Sequence, residues 1–301
     1  MIRSDSPEKN KVVGGVLYLV ATPIGNLSDI SERALKVLSQ VDFIAAEDTR
    51  NTAKLLSAFG ISKPTVSYFE HNKKESGGRI VAKLHEGLSC ALVTDAGTPA
   101  VSDPGEDLVR VCADEGLTVT AIPGCCAAVT ALALSGLNTR RFVFEGFLEG
   151  SKNARSRRLA ELADEKRTVI LYEAPHRLSA TLAEMKEYFG DRKIAVCREL
   201  TKLNEEIMRT TVSDAADFYG ENTPRGEYVL VVDGAAATSD ELFWQDMSVG
   251  RHVAYYMSAG CDKMSAIKRV AKDRGVGKSV IYAELVRSED ACGPENPDDG
   301  I

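Results

Sequence analysis

The stretch DAGTPAVSDPG, residues 95–105, lies between an apolar strand-like run at 90–94 and a helical run at 107–113. This order predicts a loop at the carboxyl end of a strand in an α/β sheet, which is where such folds bind ligands. Asp95 and Asp103 argue against a phosphate, which a helix N-terminus otherwise attracts, and favour a ligand with hydroxyl groups and positive charge. The alternative is that Asp103 caps the next helix and that Gly97 and Gly105 only permit a tight turn.

Strand-like and helix-like runs alternate along most of the chain. From residue 16 to 135 the alternation predicts a mostly parallel sheet covered by helices. A second block starts at Phe142, and its closely spaced strand runs predict a mixed sheet. The sequence thus predicts a disordered segment (1–13), two α/β domains (14–138 and 139–234), a helical domain (240–288) and an acidic disordered tail (289–301).

The predicted helical domain shows apolar residues at helical spacing around a glycine turn, as in a helix-turn-helix pair. It carries a basic set consisting of Lys268, Arg269, Lys272, Arg274 and Lys278. A solvated basic face and a nucleic-acid contact are both compatible with this pattern.

Composition sets further bounds on the function. The 301 residues are 44% hydrophobic and 27% charged, without an apolar stretch long enough to span a bilayer, which favours a cytoplasmic protein. Seven cysteines without a C-x-x-C pair and four histidines without ligand spacing predict reduced thiols and no metal site. The net charge of −7 argues against a protein that coats nucleic acid, and neither DNA nor a membrane is an expected partner.

Neither a G-x-G-x-x-G motif nor a Walker loop occurs, which removes the usual support for dinucleotide or nucleoside triphosphate binding. Four segments at predicted strand ends remain instead: ATPIGNL (21–27), AEDTR (46–50), the 95–105 loop and IPGCCAAVTALALSGL (122–137). The small residues of the last segment either let a ligand approach its helix closely or let the helix pack against a sheet.

Six ordered segments carry a family resemblance: LYLVATPIGNLSDIS (17–31), AEDTR, DAGTPAVSDPG, IPG with ALALSGL, LYEAPHRL (171–178) and RELTK with the following Glu pair. They resemble the bacterial 16S ribosomal RNA (cytidine-2′-O)-methyltransferase family of the tetrapyrrole-methylase (class III) superfamily. The resemblance implies two α/β domains with S-adenosylmethionine in the cleft between them, plus a small C-terminal helix-turn-helix-like domain. It also implies a homodimer.

The matching motifs imply which residues bind the cofactor: Gly97, Thr98, Pro99, Val101, Pro123, Gly124, Cys126, Ala127, Tyr172 and Glu173. Cys125 and Cys126 stand where the family usually has Pro-Ser, and their effect on the cofactor pocket is left open.

The resemblance implies methyl transfer to a cytidine 2′-oxygen in the decoding region of 16S ribosomal RNA within the small subunit. A general base would activate the hydroxyl. The strand-end candidates are Glu47, Asp48, Glu173, His176, Glu199 and Lys202, of which Glu47, Glu173 and Lys202 are expected to be catalytic. RNA phosphates would bind basic residues of the 151–158 segment, expected to be a loop, and of the cleft rim: Lys152, Arg155, Arg157, Arg158, Arg50 and Arg177. A tetrapyrrole C-methyltransferase and a non-catalytic RNA-binding ribosome-assembly protein are the alternatives.

Overall fold

The computed structural model describes residues 11–236, 244 and 246–290. Contacts divide the chain into two compact units, 1–235 and 236–301. The predicted disordered segment (1–13) and the predicted acidic tail (289–301) fall largely outside the described residues. Among the described helices, none combines the length and apolar character that a membrane-spanning helix needs.

The first sheet contains five strands, which are β1 (Val16–Val20), β2 (Phe43–Ala46), β3 (Thr65–Ser67), β4 (Cys90–Val93) and β5 (Thr118–Ile122). Its order is β3-β2-β4-β1-β5, and every pairing is parallel. All residues of β2 and β4 are buried, as expected when helices cover both faces of a parallel sheet. The helices are α1 (Glu32–Gln40), α2 (Thr49–Ala58), α3 (Lys73–His85) and α4 (Glu106–Asp114).

Strands β1 and β4 are neighbours, so the loops that follow them lie side by side. The backbones of Thr22 and Gly97 exchange two hydrogen bonds, at 2.9 and 3.0 Å, and so join these two loops directly. These hydrogen bonds fix the two loops relative to each other at the carboxyl edge of the sheet.

The second sheet is mixed, as the sequence predicts. It contains β6 (Phe142–Phe147), β7 (Thr168–Glu173), β8 (Lys193–Arg198), β9 (Glu206–Thr211) and β10 (Tyr228–Val232) in the order β6-β7-β10-β8-β9. Only β6 and β7 pair in parallel. One face packs against α6 (Lys152–Leu162), α7 (Pro175–Phe189) and α8 (Val212–Glu221).

The opposite face of this sheet packs against α5 (Ala127–Ser135), the small-residue helix that follows β5. Ala128, Ala131 and Leu132 contact Ile170, Ala195 and Val231. The small side chains thus serve packing against the second sheet, and they place the N-terminus of α5 between the two sheets.

The segment 151–158 is not a loop, and this expectation was wrong. Ser151 caps the N-terminus of α6 by accepting a hydrogen bond from the Ala154 amide, and the helix then runs to Leu162. Arg155, Leu159 and Leu162 are buried at helical spacing, so an arginine occupies a core-facing position of an otherwise polar segment.

The second unit is helical. It contains α9 (Val249–Ser258), α10 (Lys263–Asp273) and α11 (Lys278–Asp290), with Gly275 at φ +65° in the turn between the last two. Val253, Ile267, Val270, Ile281 and Leu285 form its core. The helical pair is thus confirmed, and α11 continues two residues into the predicted tail.

Candidate active site

A cavity of about 470 Å³ opens between the carboxyl edge of the first sheet and the second sheet. This volume lies in the range that holds small ligands and cofactors. The first sheet contributes the loops after β1, β2 and β4, and α5 contributes its first turn. The second sheet contributes Phe147, Tyr172, Glu173, Cys197, Leu200 and residues 227–229.

The 95–105 loop forms one wall of this cavity in an unusual backbone conformation. Gly97 has φ +85°, and the non-glycine residues Ala100 and Ser102 have φ +66° and +60°. Left-handed conformations cost such residues about 1–3 kcal/mol each and concentrate at functional sites. Ser102 also lies directly against Gly146 of β6, where a Cβ would meet the Ser102 hydroxyl.

Three carboxylates, those of Glu47, Asp95 and Asp103, line the cavity on the side of the first sheet. Thr94 donates a hydrogen bond from its hydroxyl to Glu47 Oε2 at 2.7 Å and also interacts with Asp103. Burial and the neighbouring Glu47 carboxylate raise the pKa of Asp103 to about 6. The cap of α4 is Gly105 and no side chain caps that helix, so the alternative role of Asp103 as a helix cap was wrong.

The opposite wall is aromatic. The Tyr172 ring lies 5.4 Å from the Phe147 ring and 5.0 Å from the Phe144 ring, measured between centroids. The Ala128 amide in α5 donates a hydrogen bond to the Tyr172 hydroxyl at 3.2 Å. Burial raises the pKa of Tyr172 to about 12, so this side chain stays neutral and anchors α5 to the second sheet.

The structure brings together most of the residues expected to bind a cofactor. Seven line the cavity, namely Gly97, Thr98, Val101, Cys126, Ala127, Tyr172 and Glu173. Pro99, Pro123 and Gly124 do not line it. A Cβ on Gly124 would lie 2.9 Å from the Ala21 Cβ, so this glycine serves the packing of the β5–α5 turn against the loop after β1.

The three expected catalytic residues have different surroundings. Glu47 lines the cavity, and Thr94 is its one hydrogen-bond partner among the described residues. Glu173 is only 2% exposed, and it accepts hydrogen bonds from the Ala174 amide and the Thr181 hydroxyl while its carboxylate pairs with Arg177. Lys202 lies outside the lining.

Lys202 is linked to the cavity by an ion pair with a lining residue. Its Nζ lies 2.9 Å from both Glu199 Oε1 and Glu227 Oε2, and Glu227 lines the cavity. The Lys202 stem packs on Gly25, in the loop after β1, where a Cβ would clash. Lys202 therefore ties the loop after β8 to the loop after β1.

The expected RNA-binding arginines and lysine are scattered, and none lines the cavity. Arg155 is 7% exposed and forms a buried ion pair with Glu184, so its guanidinium is not available to a phosphate. Arg158 pairs with Glu145 and Glu161, and Arg177 donates to the Leu148 carbonyl at 2.6 Å. Lys152, Arg157 and Arg50 are exposed.

Some lining residues were not assigned to the cofactor site from the sequence. Asp103 and Ile24 lie in segments that the sequence marked but were not among the expected cofactor-binding residues, and Phe147 and Glu227 had no motif to mark them. Within the described ranges, no group of three or more His, Cys, Asp or Glu side chains is placed to hold a metal ion.

Solved structures of other proteins share this architecture. A cobalamin biosynthetic enzyme, cobalt precorrin-4 methyltransferase, superposes with a TM-score of 0.55 at 21% identity, over 73% of this chain and 95% of that one. Diphthine synthase superposes with a TM-score of 0.57 at 14% identity, over 76% and 93%. The fold of the first unit, two α/β sheets with their helices, is thus the fold of these enzymes.

Comparison with the sequences of known proteins identifies the family to which this chain belongs. Residues 16–216 match the profile of the Tetrapyrrole (Corrin/Porphyrin) Methylases, and the chain belongs to this methyltransferase family. It is 49% identical over 270 residues to a protein of Halalkalibacterium halodurans named Ribosomal RNA small subunit methyltransferase I, which covers 89% of this chain and 93% of that protein. A Bacillus subtilis protein of the same name is 45% identical over 285 residues, covering 94% and 98%.

Proposed function

We propose that this protein transfers a methyl group from S-adenosylmethionine to the 2′-oxygen of a cytidine in the decoding region of 16S ribosomal RNA. The observation that carries the proposal is the acid-lined cavity at the strand ends of a methylase fold. The relatives named for small-subunit ribosomal RNA favour RNA as the acceptor.

The lining fits S-adenosylmethionine, which supplies a methyl group on a positively charged sulfonium. Glu47, Asp95 and Asp103 place negative charge around the cavity, which favours a cation and offers acceptors to ribose hydroxyls and an ammonium group. Apolar contact comes from Val101, Tyr172 and the first turn of α5. Gly97 leaves space beside Ile24, whose Cγ2 would lie 3.5 Å from a Cβ at that position.

We assign Glu47 as the group that accepts the proton of the ribose hydroxyl. Its Oε2 is held by Thr94, which leaves Oε1 without a protein partner among the described residues. A positioned base contributes about 10²- to 10⁴-fold to such a step. Glu173 and Lys202 are positioning residues in this proposal, because their charged atoms already bind protein groups.

Variants of α6 test its contact with RNA. Replacing Lys152 and Arg157 with Ala should weaken RNA binding and lower the salt slope by about 0.7 to 0.9 per lost phosphate contact, without changing cofactor affinity. A matched control replaces Arg33 and Lys36 of α1 with Ala. Equal salt slopes for the two double variants would show that α6 only carries solvated charge.

The two alternatives make different predictions for one assay. Labelled S-adenosylmethionine is offered to small ribosomal subunits, to protein-free 16S RNA and to uroporphyrinogen. We expect label in RNA of the subunits and none in the tetrapyrrole. Label in the tetrapyrrole alone would support the C-methyltransferase, and cofactor binding without transfer to any acceptor would contradict the proposed reaction.

We also propose that the protein acts as a homodimer in the cytoplasm, where ribosomal subunits occur. The first unit exposes the apolar side chain of Leu203 at 98%, and a contact with a second copy would cover it. Light scattering at micromolar concentration should give twice the chain mass, and a monomeric mass would refute the dimer.

A further inference from the structure

A second cavity, of about 270 Å³, lies at the same edge of the first sheet. It is formed by the loop after β1, the first two turns of α2 and Thr94, and it shares Asp95 with the larger cavity. Molecules in the two cavities would therefore both lie next to Asp95. We infer that the second cavity binds the acceptor nucleoside and that Asn51 recognises its base as cytosine, an inference that rests on the proposed function.

The orientation of the Asn51 amide is set by Asp95. Asn51 Nδ2 lies 3.0 Å from Asp95 Oδ2, and a carboxylate only accepts hydrogen bonds, so the amino group of Asn51 must face Asp95. Its Oδ1 then points away from Asp95 and accepts no hydrogen bond from the described residues. One acceptor and the second amino hydrogen remain for a ligand.

This pair of groups complements cytosine. The base offers a donor at N4 beside an acceptor at N3, which matches Oδ1 and the remaining Nδ2 hydrogen. Uracil offers an acceptor at O4 beside a donor at N3. Its O4 would therefore face the acceptor Oδ1 of Asn51, and its N3 hydrogen would face the Nδ2 hydrogen. An unconstrained amide could rotate to suit uracil, and the hydrogen bond to Asp95 opposes this rotation. Asn51 and Asp95 together would therefore discriminate between the two bases.

The rest of the second cavity suits a nucleotide. Leu55 and Leu27 provide apolar surface, and Leu27 is 50% exposed at the rim, where it can cover a base. Lys54 lines the cavity, and Arg50 lies one turn earlier on the same face of α2. The Arg50 guanidinium pairs with the Asp48 carboxylate at 2.7 Å, so Lys54 is the exposed cation that is placed for a phosphate next to a bound nucleoside.

The test is a competition between two small-subunit preparations that carry cytidine or uridine at the modified position. Both are present in one reaction with the full-length protein, so a change in cofactor affinity cancels in the ratio of products. The wild-type protein should methylate the cytidine subunits preferentially. Asn51→Ala should reduce this preference about tenfold to a hundredfold, the range expected for one bidentate contact, with unchanged cofactor affinity in calorimetry.

Asp95→Asn should also lower the preference by raising the relative yield from uridine subunits, because the Asn51 amide can then rotate. Ser57→Ala, an exposed position on the same helix, is the control and should leave the ratio unchanged. An Asn51→Ala protein that keeps the wild-type ratio would overturn this inference alone. A wild-type protein that methylates neither preparation would instead contradict the proposed function.

Discussion

Gly97→Val is expected to abolish binding of S-adenosylmethionine while the protein remains folded. Gly97 has φ +85° and exchanges two backbone hydrogen bonds with Thr22 in the loop after β1. The 95–105 loop therefore cannot shift at Gly97 without breaking these hydrogen bonds. A β-branched side chain is strained in this conformation, and its methyl groups would enter the cavity beside Ile24. Calorimetry should show at least a hundredfold loss of affinity, about 2.7 kcal/mol or more.

A second glycine separates lost cavity volume from backbone strain. Gly116 has φ +70°, and nothing lies within 4 Å of a Cβ built there. Gly116→Val should therefore lower thermal stability to a similar degree and keep cofactor affinity. Undiminished binding by a folded Gly97→Val protein would remove the 95–105 loop from the cofactor site.

Asp103→Asn is expected to stabilise the ligand-free protein and to weaken cofactor binding. The pKa of Asp103 is about 6 in the folded protein against a usual value of 3.8, so the folded state binds a proton more tightly than the unfolded state. The contribution of Asp103 to wild-type stability should consequently fall as the pH rises from about 4 to about 6. At pH 7.5 the variant should gain up to about 3 kcal/mol in unfolding free energy, measured with denaturant.

The same titration predicts how binding depends on pH. Below about pH 6 Asp103 becomes neutral and no longer attracts a cation, so wild-type affinity for S-adenosylmethionine should decline through this range. Asp103→Asn should bind about tenfold more weakly at pH 7.5 and show less decline, because the titrating group is gone. Identical pH profiles for the two proteins would show that Asp103 does not face the cofactor.

Local sequence signals were sufficient for much of the fold and for part of the lining of the larger cavity. The buried strand β4 and the glycine loop after it predict the strand-end position of Gly97 and Thr98, and closely spaced strand runs predict the mixed second sheet. The family resemblance also predicted Tyr172, which lines the far side of the cavity.

Contacts between distant parts of the chain explain what the sequence did not reveal. Arg155 and Glu184 are 29 residues apart, so nothing near Arg155 shows that its charge is buried in an ion pair. The spacing of Arg155, Leu159 and Leu162 did indicate a helix, but the polar composition of the segment obscured this signal. Asn51 and Asp95, 44 residues apart, meet only because β2 and β4 are adjacent in the sheet.

The most direct test of the proposed reaction is to identify the methylated nucleoside. Small ribosomal subunits that lack the modification are incubated with the protein and S-adenosylmethionine carrying a deuterated methyl group. The 16S RNA is then digested, and its nucleosides are analysed by mass spectrometry. We predict that the label is found in 2′-O-methylcytidine from the decoding region. Label on a base, on another nucleoside, or nowhere in the RNA would contradict the proposed function.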